Sequence, residues 1–274
     1  MKRSAALLSI VLSAAIPCAA GIVYEIEVRD HEQSPPKSES TEVAVEGRNL
    51  AMEVLPGEGG RGRGTMIYRG DRREMVVVDH DDQSYIVMDE QTMSQLGAQV
   101  DQAMAMMDEA LANVPADQRD KIREMMQQQM PQAQAAPERP KNELKKTSET
   151  ATHNGYPCRK YEVYRDGRKT QELWVTEWSN IEGGAEVADV FHDMSEFFKE
   201  LLDSIPKFGQ SGADEPFFEF MQELGGFPVV TKEFGDDGYL EEESTLRSAR
   251  RRSLDPDAFE PPSGYKRRQM FGPQ

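Results

Sequence analysis

The chain has 274 residues, 38% of them hydrophobic and 30% charged, with 32 Lys+Arg against 49 Asp+Glu, a balance that belongs to a globular protein rather than a wholly disordered one. A net charge of −17 argues against a general binder of the phosphate backbone, which needs a basic face to release counterions. Nucleic acid is therefore not an expected partner.

Residues 1–20 read as a secretory signal: Lys2 and Arg3 are the positive start, Ala5 to Ile16 is an apolar run too short to cross a bilayer, and the small residues Ala19 and Ala20 follow. Pro17 precedes Cys18 where a lipoprotein signal carries a small residue, so the expectation is cleavage and release into the periplasm, not lipid anchoring at Cys18. No transmembrane segment is expected in the remainder. Cleavage leaves Cys158 as the lone cysteine, which excludes an internal disulfide and favours a thiol packed as a small hydrophobe. Strand alternation alone gives Cys158 the parity of Lys160 and Glu162 and would expose it.

From residue 21 the chain alternates. Ile22, Tyr24, Ile26 and Val28 take one face of a half-buried strand, and short strands recur at Val43 to Val45, Leu50 to Val54, Thr65 to Tyr68, Met75 to Val78 and Tyr85 to Met88. Gly- and Asp-containing turns separate them, as in an antiparallel meander, and the Gly57 to Gly64 run reads as a hairpin tip because it lacks the Lys-Ser/Thr ending of a phosphate loop. An insert over about residues 90–130 changes period: Met93, Leu96, Val100, Met104, Met107, Leu111 and Val114 follow at steps of three or four, and Pro115 opens a second helical stretch through Ile122, Met125, Met126 and Met130. Residues 131–142 form a Pro/Gln/Ala linker, and strands return at Tyr156 to Tyr164 and Thr170 to Val175 around the Asp166-Gly167 turn.

Val187, Val190, Phe191, Met194, Phe197, Phe198, Leu201, Leu202 and Ile205 make the strongest helical stripe. A shorter helix is expected from Asp214 and Pro216 through Leu224, stopped by Gly225-Gly226, then strands at Val229 to Phe234 and Tyr239 to Leu246 and an irregular Pro-rich tail from Leu254. Strands on both sides of the helical insert predict a single domain over 21–274.

Clusters that carry chemistry are few. Asp79-His80-Asp81-Asp82 has metal-ligand residue types, but it joins two predicted strands, where Asp-rich residues are ordinary turn chemistry. Eight methionines lie between Met88 and Met130, and Met104, Met107, Met125, Met126 and Met130 are the candidates for soft copper coordination; helical spacing explains them as an adaptable apolar surface instead. Arg69-Gly70-Asp71 is a turn, and Arg247, Arg250, Arg251 and Arg252 are a solvated strand end. No Gly-x-Ser-x-Gly elbow or paired-histidine motif occurs, so the expectation is a non-enzymatic protein without a cofactor.

Three segments carry a resemblance: Glu46-Gly47-Arg48-Asn49-Leu50-Ala51-Met52; Met66-Ile67-Tyr68-Arg69-Gly70-Asp71 leading to Met75-Val76-Val77-Val78-Asp79; and Gly155-Tyr156-Pro157-Cys158-Arg159-Lys160-Tyr161 leading to Glu172-Leu173-Trp174-Val175. In this order, ahead of a Pro-Pro-x-Gly-Tyr tail at Pro261 to Tyr265, they resemble an uncharacterised bacterial envelope family similar to the periplasmic lipoprotein-localisation carriers (LolA-like half-barrels). The resemblance implies an α+β fold, a curved, unclosed antiparallel half-barrel with helices on its concave face, and an apolar cavity for acyl chains. On that expectation the protein is a periplasmic binding or carrier protein for a hydrophobic, lipid-like ligand; the resemblance carries over no ligand-contacting residue, and the apolar stripe of the long helix points to Val190, Phe191, Met194, Phe197, Phe198 and Leu201 as the lining. The alternative is an envelope interaction or stress-sensing protein whose helices dock a protein partner. The two separate on whether the helices cover a cavity or pack directly on the sheet.

Overall fold

A computed structural model describes residues 20–55, 62–95, 97–98, 102, 106, 141–203 and 223–269. The strands are β1 (Gly21–Asp30), β2 (Lys37–Glu46), β3 (Asn49–Val54), β4 (Gly64–Arg69), β5 (Glu74–Asp79), β6 (Ser84–Asp89), β7 (Asn142–His153), β8 (Tyr156–Arg165), β9 (Arg168–Glu177), β10 (Gly226–Phe234), β11 (Leu240–Arg252) and β12 (Lys266–Arg267), and the long helix is α1 (Gly184–Asp203). They form one twelve-stranded sheet in the order β12-β6-β5-β4-β3-β2-β1-β11-β10-β9-β8-β7, curved and unclosed. Every pairing is antiparallel except that of β12 with β6. Pairing of β1 with β11 joins two meanders, one on each side of the middle of the sheet.

Turn chemistry sets this register. Asp166-Gly167 and Asn154-Gly155 both place two consecutive residues at positive φ (51° and 79°, 47° and 84°), the geometry whose twist matches flanking antiparallel strands. The strands of the first meander lie where alternation puts them. Three features differ from expectation. Asn142–His153 is a strand, β7, although its residues are almost all polar; it is an edge strand, half-buried or exposed throughout, so no buried face writes an apolar period into it. Strand β11 runs on to Arg252, paired with β1 as far as Gly21, and its solvated arginines Arg247, Arg250, Arg251 and Arg252 meet Glu27, Glu25, Glu182 and Glu186, and Glu42. The tail is irregular as read, yet Leu254, Ala258, Phe259 and Tyr265 pack on the sheet, and Lys266–Arg267 adds β12.

The first meander is consequently apolar on both faces. On one face Val23, Ala44, Ala51, Ile67, Val76 and Val87 stand opposite one another across consecutive strands, under the tail. On the other, Ile22, Val45, Leu50, Tyr68 and Met75 form a row that is at most 1% exposed, under Val187, Val190, Met194, Phe197 and Leu201 of α1. Of the stripe predicted for it the helix buries Val187, Val190, Met194, Phe197 and Leu201 and half-buries Phe191 and Phe198, while the Leu202 side chain and Ile205 lie outside what is described; Glu186 in its first turn suits the positive end of the helix dipole.

Within the insert, residues 90–95, 97–98, 102 and 106 are helical; Met93 is buried and Met106 exposed. Met104, Met107, Met125, Met126 and Met130 and linker residues 131–140 lie outside the described residues, as do residues 1–19 with the predicted signal. The helical stretch expected from Pro115 lies outside the described residues; of the shorter helix expected from Asp214 to Leu224, residues 223–224 are helical and 214–222 lie outside the described residues, and Gly225 at φ +61° supplies the left-handed stop expected after them.

Candidate functional site

The site is built on the α1 side of the first meander, and the anchoring of the helix defines it. Tyr24 donates its hydroxyl to the Glu182 carbonyl at 3.0 Å just before α1. Farther along, Tyr68 donates to Asp193 Oδ2 at 2.8 Å, and Arg48, in the β2–β3 turn, reaches Asp193 Oδ1 at 2.6 Å. Arg73, in the β4–β5 turn, pairs with Glu200. The helix thus runs across the strands at the end of the sheet that carries these two turns. Burial, followed for Tyr68 by the hydrogen bond to Asp193, raises both phenols above their ordinary range. They remain protonated donors at any physiological pH.

Gly70 makes the close approach possible. A Cβ there would lie 2.6 Å from both the Arg48 carbonyl oxygen and Asp193 Oδ2, so the turn after β4 admits the helix carboxylate only without a side chain. Arg69 beside it is 6% exposed and paired with Glu74 at 2.8 Å and with Glu260 of the tail. The Arg69-Gly70-Asp71 tripeptide is therefore a packing junction between helix, turn and tail.

All six residues predicted to line a ligand space come together in one cluster. Val190, Met194, Phe197 and Leu201 are 1–7% exposed and pack directly on the sheet, Phe197 with its ring centroid 5.7 Å from that of Tyr68. Phe191 and Phe198 are half-buried. Two clefts open elsewhere: one of about 350 Å³ between the β8–β9 and β10–β11 turns, walled by Arg168, Lys169, Phe234 and Asp236, and one of about 240 Å³ walled largely by carboxylates, among them Asp30, Glu39 and Glu233. None of the six predicted residues lines either.

What sequence reading missed is the next row along the same face. Across the sheet, Tyr24, Val43, Met52, Met66, Val77 and Ile86 stand in register. Tyr24 and Val43 are buried, but Met52, Met66, Val77 and Ile86 are only half-buried, as is Met88 beside Met75. Among the described residues, the apolar surface extends past the helix that covers its neighbouring row. Its signal was present as the alternation of β3 to β5, but alternation marks a face without saying what covers it.

The other candidates have local partners. Asp79 to Asp82 is a turn in which the Asp82 N–H donates to Asp79 Oδ1 at 2.9 Å, and His80 lies between Thr65 Oγ1 at 2.8 Å and the Tyr265 hydroxyl at 3.1 Å. Among the described residues no three His, Cys, Asp or Glu side chains converge as a metal site, and no helix is long and apolar enough to cross a membrane. Cys158 is buried at 4% exposure.

No protein-family model matches the chain, and no curated protein matches it. Solved structures similar to it include an uncharacterized conserved protein from Thermus thermophilus, at 8% identity over 90% of each chain with a TM-score of 0.41. PNGF-II is similar at 9% identity over 92% of this chain and 31% of its own, TM-score 0.38, and the MucA/MucB complex of Pseudomonas aeruginosa at 9% over 89% and 56%, TM-score 0.33. At such scores none of these likenesses assigns a function to the chain.

Proposed function

We propose that the chain is an exported, non-enzymatic binding protein of the bacterial envelope that docks an apolar segment of a protein partner on the half-buried row Met52, Met66, Val77 and Ile86. The export part rests on Lys2, Arg3, the Ala5 to Ile16 run and the small residues Ala19 and Ala20. The observation that carries the docking part is the apolar row beside a helix seated directly on the sheet. Methionine suits such a surface, since its flexible thioether adapts to differently shaped partners. The polar groups bordering it, Tyr68, Asp193 and Arg48, are engaged in holding the helix.

An acyl-chain carrier is the second reading, favoured by the uninterrupted apolar character of the same row. It differs from the cavity expected from sequence. To lodge a chain among Val190, Met194, Phe197 and Leu201 the helix would have to leave the sheet, giving up packing of ~1.5–3 kcal/mol for each of four side chains, ~6–12 kcal/mol in all, which the acyl chain itself would have to replace. A ligand on the half-exposed row meets no such cost.

Photo-crosslinking tests both readings. A benzophenone amino acid is placed at position 66 or 77 of the full chain, with the exposed position 159 as control, and the protein is irradiated in intact cells. Protein adducts at 66 and 77 above the yield at 159 support docking. Lipid adducts at those positions would replace it with the carrier reading, and no excess over the control would overturn both.

A further inference from the structure

Two of the four side chains in the half-buried row are methionines, and a third flanks it. Met52 faces Met66 directly across β3 and β4, and Met88 faces Met75 across β5 and β6. Their environments differ: Met52, Met66 and Met88 are half-buried, whereas Met75 and Met194 are 1% exposed and Met93 is 5% exposed; Met106 of the insert, at 60%, is more exposed than all of these but stands outside the row. A thioether is oxidised at a rate that follows its accessibility, and the sulfoxide turns a flexible apolar side chain into a strongly polar one. Solvent oxidants therefore reach the half-buried methionines of the row sooner than the buried ones at the helix–sheet interface.

We propose that Met52, Met66 and Met88 are an oxidation site that switches this face from apolar to polar. This rests on the docking reading for its consequence, though not for its chemistry. The oxidant is a peroxide. Its terminal oxygen is transferred to sulfur to form the S=O bond as the O–O bond breaks, hydrogen peroxide leaves as water, and the thioether gives up two electrons. Each sulfoxide oxygen demands hydration or a hydrogen bond, so an apolar segment docking over it desolvates a polar group without compensation. Because Met52 and Met66 are cross-strand neighbours, two such groups stand side by side. The buried methionines are untouched, so the fold survives while the surface loses its apolar character.

Peptide mass mapping of the full chain during hydrogen peroxide exposure tests the chemistry. Met52, Met66 and Met88 are expected to oxidise at least about tenfold faster than Met75 and Met194, and equal rates in protein that keeps its native circular dichroism would overturn the site. The switch is tested by the fluorescence of 8-anilinonaphthalene-1-sulfonate, a probe of apolar surface, before and after oxidation. Wild type should lose about tenfold in probe affinity on oxidation, whereas the M52L/M66L/M88L variant, in which the exposed Met106 still oxidises, should show an oxidised-to-untreated ratio near one, whatever its starting affinity. An equal loss in both proteins would overturn the switch. Selective oxidation together with absent cross-links at positions 66 and 77 would leave the oxidation site standing and remove its docking consequence. Uniform oxidation with those cross-links present would do the reverse.

Discussion

Replacing Tyr68 by Phe deletes one oxygen and tests whether α1 is pinned to the sheet as described. Tyr68 is completely buried, its hydroxyl donates to Asp193 Oδ2 at 2.8 Å, and Asp193 keeps 19% of its side chain in solvent and a second donor in Arg48. A hydrogen bond to a charged acceptor contributes ~1.5–3 kcal/mol. The lower end applies here, since Asp193 can turn to Arg48 and water when the phenol is lost, so Tyr68→Phe should destabilise by ~1.5 kcal/mol. The ring stays against Phe197, and no large cavity forms. Urea denaturation read by tryptophan fluorescence and circular dichroism measures the loss, and a double-mutant cycle with Asp193→Ala isolates the pair. A coupling energy of ~1 kcal/mol or more is expected. A Tyr68→Phe loss below ~0.5 kcal/mol together with zero coupling would mean that the helix owes nothing to this bond, and the reasoning about its anchoring would fall.

Phe259 is 7% exposed in the cluster under the tail; Phe259→Ala should cost about 3 kcal/mol and increase hydrogen exchange in β4 and β5, and a change within about 0.5 kcal/mol would show that the tail does not seal that face. Burial raises the folded-state values of Tyr24 and Tyr68 above the free phenol value of 10.0, so their contribution is complete below that pH and disappears as pH climbs through the folded values. Stability should hold from neutrality to about pH 10 and then decline, each tyrosine adding ~1.4 kcal/mol per pH unit; Tyr68→Phe should decline more gently than wild type, and identical slopes would contradict the burial of Tyr68. Burial also pushes the Cys158 thiol up, against a weaker backbone hydrogen bond, so alkylation of native protein should be slow and denaturant should restore it. Immediate complete labelling would place the thiol at the surface.

Legibility in the sequence followed the number of faces that packing constrains. The strands of the first meander were readable because one face of each must be apolar, and α1 because its stripe is wide. Strand β7 was invisible since an edge strand with polar residues on both sides leaves no period; its place is fixed by hydrogen bonding to β8 and by Leu144 opposite Val163. The packing of the tail, though not its irregular course, was unreadable for another reason. Leu254, Ala258, Phe259 and Tyr265 follow neither a helical nor a strand period, because the segment crosses the sheet as irregular chain and drops side chains where the row beneath has room. The run Met75-Val76-Val77-Val78 carried the hint, as a continuous apolar stretch marks a strand buried on both faces.

Cys158 shows why parity and exposure are different questions. It does share parity with Lys160 and Glu162 along β8, yet it is buried, and Lys160 itself keeps only 13% of its side chain in solvent. The ammonium of Lys160 is held by Glu149 at 3.3 Å, Glu162 at 3.5 Å and Glu172 at 3.4 Å, and Trp174 donates its indole N–H to Glu172. Charged residues on a strand need not mark a solvent face when opposite charges pair along it. The same separation governs the candidate site. The six helix residues singled out for apolarity are together and largely buried, while the half-buried apolar surface among the described residues is the next row of the same strands, beside the one the helix covers. Apolarity in a sequence locates what will be buried; only the extent of the covering element decides which part of it is left to bind.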